Sequence, residues 1–330
     1  MRLRPDASAS FGWRVGRTLV RPVGHSPRVF CHPSASVVPN RCLSPRSSGA
    51  PTAGHQPRPG GTRYIFASPG LASCRQCPLN LNVRHCKPME LDSTTVHQVL
   101  VEKGIDALHH ANTLQTSCLF LQHGRLLSRG FVEERGLIQT PQCSDDLDKR
   151  YAIWHDVFLD SVDIHQRANK RNLYGPVLFR FGLEMLLDEQ IRSIWITRKN
   201  PTEWREHDKR EDRYFTSVDE FSNRYSKGDF GSMFMLRHNG GCLRLSPYLK
   251  DIVLDAPSIN DDDVDLYSHT VGALRSSAWQ GGLKDLAIVR RKCSRYCKCS
   301  TEYAALLQNA IAKNDERELK KLFVFGGGDA

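Results

Sequence analysis

From Met89 onward, apolar and polar positions recur with the spacings of folded elements. Val96, Val99 and Leu100 lie three and four apart, which predicts a short helix capped by Ser93 or Thr94 and closed by Gly104. Residues 105–110 read as a strand ending in two histidines. Cys118, Leu119 and Leu121 mark a helix over 116–122 that Gly124 stops, and Leu126 and Leu127 then lead into a turn at Ser128-Arg129-Gly130. The stretch 131–150 is polar and irregular, with a helix start at Ser144-Asp145-Asp146. Apolar runs and alternation predict strands at 157–159, 177–183, 191–197, 249–254 and 286–289. Residues 163–172 read as a polar helix, and Ser217-x-x-Glu220 forms a capping box before Phe221. Asp261-Asp262-Asp263 sets negative charge at the start of a helix carrying Val264, Tyr267, Val271, Leu274 and Ala278, which stops at Gly281-Gly282. Residues 301–323 read as one terminal helix. Short strands separated by single helices, with no glycine-rich phosphate loop, predict an α+β domain over 89–330 rather than a doubly wound sheet.

Charge changes this picture only at the N-terminus. The chain of 330 residues carries a net charge of +10. Residues 1–88 hold twelve Arg, Lys87 and a single acid, Asp6, so that segment is +12 and the remainder is −2. The basic balance therefore belongs to the tail, and it is no argument for a phosphate-binding face on the domain. The tail is rich in Arg, Pro, Ser and Gly and has too little apolar surface to offset its chain entropy, so it reads as a disordered basic tail or leader. It has the composition of a transit peptide, or it is dispensable, with the true start at Met89. These alternatives lead to a mitochondrial or a cytoplasmic protein. No run of 18 apolar residues predicts a membrane span.

The eleven cysteines are an odd, scattered set, which suits reduced thiols better than a disulfide framework. Cys74-x-x-Cys77 with His85-Cys86 lies in the tail, without a fold around it. Cys293, Cys297 and Cys299 are close together but have no evident fourth ligand, so no metal site is assigned. The histidines make no His-x-x-x-His pair.

Four stretches carry candidate chemistry. Leu108-His109-His110-Ala111-Asn112-Thr113 ends a strand with groups able to hydrogen-bond a ribose and a carboxamide. Arg129, in its Gly-flanked turn, presents a fork of donors suited to a pyrophosphate. Residues 156–169 mix a buried strand with Asp156, Asp160, Asp163, His165 and Arg167. Asp251, beside Lys250 on a late strand, is a carboxylate of the kind that stabilises an oxocarbenium-like centre.

In this order the stretches resemble the ADP-ribosyltransferase family, in particular its DNA-modifying toxin (DarT-type) branch. The first motif is carried by residues 108–113 followed by Cys118-Leu119-Phe120-Leu121-Gln122-His123-Gly124 and Leu126. The second is carried by Val157-Phe158-Leu159-Asp160-Ser161 through Ala168, and the strand at 177–181 follows in order. The third resembles residues 249–257, where Lys250 or Asp251 stands in place of the family's catalytic Glu. The resemblance implies a split, twisted β-sheet with flanking helices and a cleft for NAD+ as substrate. It places His110 at the nicotinamide-side ribose, Thr113 and Asn112 near the carboxamide, and Phe158 in the cofactor wall. Arg129 would contact phosphate, and with Asp251 would be catalytic. The implied activity is a toxin- or defence-type transferase acting on single-stranded nucleic acid or protein, with an antitoxin as a further partner. Basic stretches at 166–170 and 290–298 are the surfaces for a nucleic-acid acceptor. The missing Glu keeps a second reading open, a catalytically silent binding module of the same shape.

Overall fold

A computed structural model describes residues 89–257, 260–261 and 264–324, the side chains of residues 260, 261 and 264 excepted. The reading of 1–88 as a tail lies outside these residues.

The described chain is a mixed α+β structure. Its strands are β1 (Leu91–Asp92), β2 (Ala107–Asn112), β3 (Arg125–Leu127), β4 (Val157–Asp160), β5 (Val177–Gly182), β6 (Ser193–Ile196), β7 (Met233–Leu236), β8 (Cys242–Arg244), β9 (Leu249–Leu254), β10 (Asn260–Asp261), β11 (Val264–Asp265) and β12 (Ile288–Arg290). Its helices are α1 (Ser93–Glu102), α2 (Leu114–Gln122), α3 (Arg129–Glu134), α4 (Asp145–Arg150), α5 (Ile164–Ala168), α6 (Arg210–Arg213), α7 (Val218–Arg224), α8 (Leu266–Gln280), α9 (Cys299–Lys313) and α10 (Arg317–Phe323). Eight strands form one sheet in the order β1-β6-β7-β4-β2-β5-β9-β12. Its pairings are antiparallel except for the parallel edge pair of β12 with β9.

The local signals act largely as the sequence suggests, with shifts of a few residues. Asp92, not Ser93 or Thr94, caps α1 by accepting from the Thr95 amide at 2.8 Å. Ser217 caps α7, but the Glu220 carboxylate reaches back to Thr216 instead of closing the box on Ser217. Arg129 is not in a turn: Ser128 accepts from the Phe131 amide and starts α3 there. The terminal helix is two helices, because Asn314 takes a left-handed conformation (φ 48°) that ends α9. β7 and β8 were not legible as strands in the sequence.

One face of the sheet is covered by α2, which packs against α8 and α10. Phe120 of α2 meets Phe179 of β5 edge-on at 6.1 Å between ring centroids. Elsewhere Trp195, Trp204 and Tyr214 form a separate cluster of edge-on aromatic contacts. Register decides which side chains share a face. His109, Arg180 and Asp251 stand directly opposite one another across β2, β5 and β9, and His110, Phe179 and Ile252 form the adjacent row.

Phe179 is fully buried between the sheet and α2. Phe179→Ala is expected to destabilise the fold by about 3–5 kcal/mol, a transfer loss plus a cavity. Leu173→Ala, at an exposed position, should change stability by less than about 0.5 kcal/mol. Urea denaturation midpoints compare the two.

Candidate functional site

The sheet opens between β2 and β4. These strands share a single register pair, His109 with Asp160, whereas β2 pairs with β5 over six positions and β4 with β7 over four. Beyond that pair, side chains replace the ladder. His110 Nδ1 lies 2.9 Å from the carbonyl oxygen of Phe158, and His109 Nδ1 lies 3.3 Å from that of Asp160. A carbonyl only accepts, so in each contact Nδ1 carries the proton. The Nε2 lone pair of His110 then faces the Asn112 amide nitrogen at 3.4 Å. That amide is oriented in turn, because Asn112 Oδ1 accepts from the Thr113 amide at 2.9 Å.

A pocket open to solvent occupies the gap. Its walls include His109, His110, Asn112, Phe120, Arg129 and Phe158, with Asp148, Asp156 and Asp160 among the polar groups and the turn at 200–202 on one side. Phe158 and Asp160 alternate with buried Val157 and Leu159, so both turn toward the opening. Gly175 backs the site. With φ at 144°, it lies so close that a Cβ there would stand 2.2 Å from the Asn112 carbonyl group.

Of the six residues given a role by the resemblance, four therefore meet around one hollow: His110, Asn112, Arg129 and Phe158. Two do not. Thr113 is buried with its hydroxyl donating to Thr140 Oγ1 at 2.7 Å, so it braces the 140 segment and does not line the pocket. Asp251 is held by Arg180, whose Nε donates to Oδ1 at 2.6 Å while Nη2 bonds the other oxygen. The register places Arg180 between Asp251 and His109, so the carboxylate is outside the pocket wall. Lys250 is the exposed extra residue of a bulge opposite Phe181.

Arg129 is partly committed. Its guanidinium donates to the Thr140 carbonyl at 2.8 Å and to Asp145 at 2.5 Å, and it sits over the Trp154 ring. Its Nε is buried and has no hydrogen-bond partner. Of the carboxyls that line the pocket, Asp156 and Asp160 were visible only as part of the acidic stretch at 156–169, and Asp148 was not singled out. What marks Asp160 is a period of two with Phe158 on a strand, a signal that needs the strand's exposed face to be known.

Electrostatically the site holds more carboxyls than cations, since Asp148, Asp156 and Asp160 line it with Arg129. Burial pushes the Asp160 carboxyl up to about 7 and the Asp156 carboxyl to about 6. Asp148 rises to about 7, chiefly through burial and further through Asp145. Burial lowers His110 to about 4, with the Arg129 charge acting in the same direction, so its imidazole is neutral near pH 7. The pocket thus offers a fixed acceptor nitrogen, an oriented amide and a carboxyl whose ionised form a cationic ligand would favour.

No protein-family model matches the chain, and no curated protein matches it either. The fold and site define an α+β protein with a deep pocket at a break in its sheet. Among the described residues no helix is long and apolar enough to cross a membrane.

Asp160 also sets a stability prediction. Its folded-state value of about 7 lies above the ordinary 3.8, so the native state holds a proton that the unfolded chain releases. Stability then falls as pH rises between those two values. Asp160→Asn should remove that share of the slope and stabilise the protein at pH 8 by on the order of 2–4 kcal/mol, with little effect at pH 4. Urea denaturation at the two pH values measures the difference.

Proposed function

We propose that the chain is an NAD+-dependent ADP-ribosyltransferase built on the split-sheet fold of that family. The observation that carries this reading is the break between β2 and β4, where neutral His110 presents Nε2 beside Asn112 inside the pocket. His110 accepts a hydrogen bond from a hydroxyl of the nicotinamide-side ribose. The pyridinium ring stacks along Phe158, and Arg129 turns its unpartnered Nε toward the pyrophosphate.

The role first given to Asp251 passes to Asp160, the carboxyl that shares the opening with the histidines. The pyridinium charge of NAD+ favours loss of the Asp160 proton to solvent, and the resulting carboxylate stabilises the charge that develops at C1′. The C1′–N bond breaks and nicotinamide leaves with the bonding pair as a neutral molecule. A lone pair of the acceptor forms the new bond to C1′, and the acceptor's proton passes to Asp160 or to water. Acceptors in this reading are single-stranded nucleic acid or protein, and an antitoxin would be a natural partner of such a toxin- or defence-type enzyme.

One observation favours the second reading, a silent binding module. The late-strand carboxylate, Asp251, is clamped by Arg180, which suits a domain that holds a nucleotide without cleaving it.

Incubation of the full chain with NAD+ and nucleic acid or lysate, followed by mass spectrometry, separates these readings. Nicotinamide release and a mass gain of one ADP-ribose on an acceptor are expected. His110→Ala and Asp160→Asn should each lower release by about 100-fold or more, and Asp251→Asn by far less. Tight binding of NAD+ without release would identify the silent module. Neither binding nor release would overturn both.

A further inference from the structure

We propose that His165, Cys293, Cys297 and Cys299 form a structural zinc site that fastens the C-terminal helices to the sheet. Cys293-x-x-x-Cys297-x-Cys299 spans the loop after β12 and the first residue of α9. The fourth ligand, absent from that stretch, comes from α5. A ring nitrogen of His165 and the three sulfurs all lie within 4.8 Å of one another. His165 Nε2 is 3.2 Å from Cys297 Sγ and 3.5 Å from Cys293 Sγ, and Cys293 Sγ is 3.4 Å from Cys299 Sγ. Zinc bonds of about 2.3 Å to sulfur and about 2.0 Å to nitrogen set tetrahedral ligand atoms roughly 3.5–3.8 Å apart. The observed cluster brackets that spacing before any ion draws it together.

The surroundings of His165 are those of a metal ligand. The ring is buried, and its Nδ1 lies 3.0 Å from Asp255 Oδ2. Asp255 also accepts from Tyr303 at 2.6 Å and pairs with Arg291, which bonds Asp163 as well. A carboxylate engaged in this way accepts a hydrogen bond from Nδ1–H and leaves Nε2 as a lone pair aimed at the thiols. A carboxylate behind a ligating histidine is the recurrent support of zinc centres. Three thiolates and one imidazole in a compact tetrahedral set select zinc among common divalent ions. Four protein ligands leave no open position, so the site is structural. None of the four lines the pocket, and this inference does not rest on the proposed activity. It also reassigns the basic stretch at 290–298, expected as a nucleic-acid surface, to a ligand loop.

The test uses the full chain, purified reduced from zinc-supplemented medium without chelator. Elemental analysis should find about one zinc per chain, and X-ray absorption should fit three sulfurs and one nitrogen. Cobalt exchange should give the visible d–d bands of a tetrahedral thiolate site. Cys297→Ser and His165→Ala should lose most of the metal and melt lower by on the order of 10 °C. A Cys74→Ser, Cys77→Ser, Cys86→Ser variant should keep the metal, which excludes those three thiols as its source. Three results would each overturn the proposal: no zinc retained by reduced protein equilibrated with it, zinc lost from the Cys74/Cys77/Cys86 variant instead, or a Cys293–Cys299 disulfide in the freshly isolated chain.

Discussion

The site exists because one pair of strands does not zip. β2 and β4 meet at His109 and Asp160, and continued register would bring Ala111 opposite Phe158. The Phe158 carbonyl receives the imidazole N–H of His110 instead. Buried backbone groups must be paired, so a sheet can open only where something else supplies the missing donors. Two histidines at neighbouring positions do so, each spending Nδ1 on a carbonyl of β4. That same contact fixes which nitrogen of His110 remains for a ligand. The opening of the sheet and the chemistry of the pocket are one hydrogen-bonding arrangement seen from two sides.

An opening lined with carboxyls is costly in the free protein. Asp148, Asp156 and Asp160 face a space whose pocket-lining cation, Arg129, is tied to Asp145 and the Thr140 carbonyl. Their raised values reflect burial away from water, which Arg237 beside Asp156 offsets only in part. Such a site discriminates by charge. A cation entering it recovers ionisation energy that the empty pocket forgoes, whereas an anion meets like charge except near Arg129.

The sequence carried the elements whose causes are local. The cap at Ser217, the glycine stop at Gly124 and the apolar patterns of β5 and β9 follow from a few adjacent residues. It did not carry what register decides. Asp251 and Asp160 are both acids on short strands, and nothing within either strand shows that one faces Arg180 while the other faces the opening. β7 escaped notice because Met233–Leu236 is a continuous apolar run behind an irregular loop, a pattern without a period to read. His165 was hidden from the cysteines for a related reason: it lies 128 residues from Cys293, and only the parallel pairing of β12 with β9 brings the loop back to α5.

The segment that begins α5 links the pocket to the cysteine cluster. Val162 and Ile164 line the pocket, while Asp163 and His165, alternating with them, turn to Arg291 and the cysteine cluster. Through Asp255, which joins His165, Arg291 and Tyr303, this short stretch is tied to β9, to the end of β12 and to α9. α5 itself has only five residues and can hold little structure by its own hydrogen bonds. Its position must come from these outside ties. The pocket wall at 162–164 is therefore only as rigid as the buried ion pairs behind it, and elements that touch no ligand set how firmly the site is held.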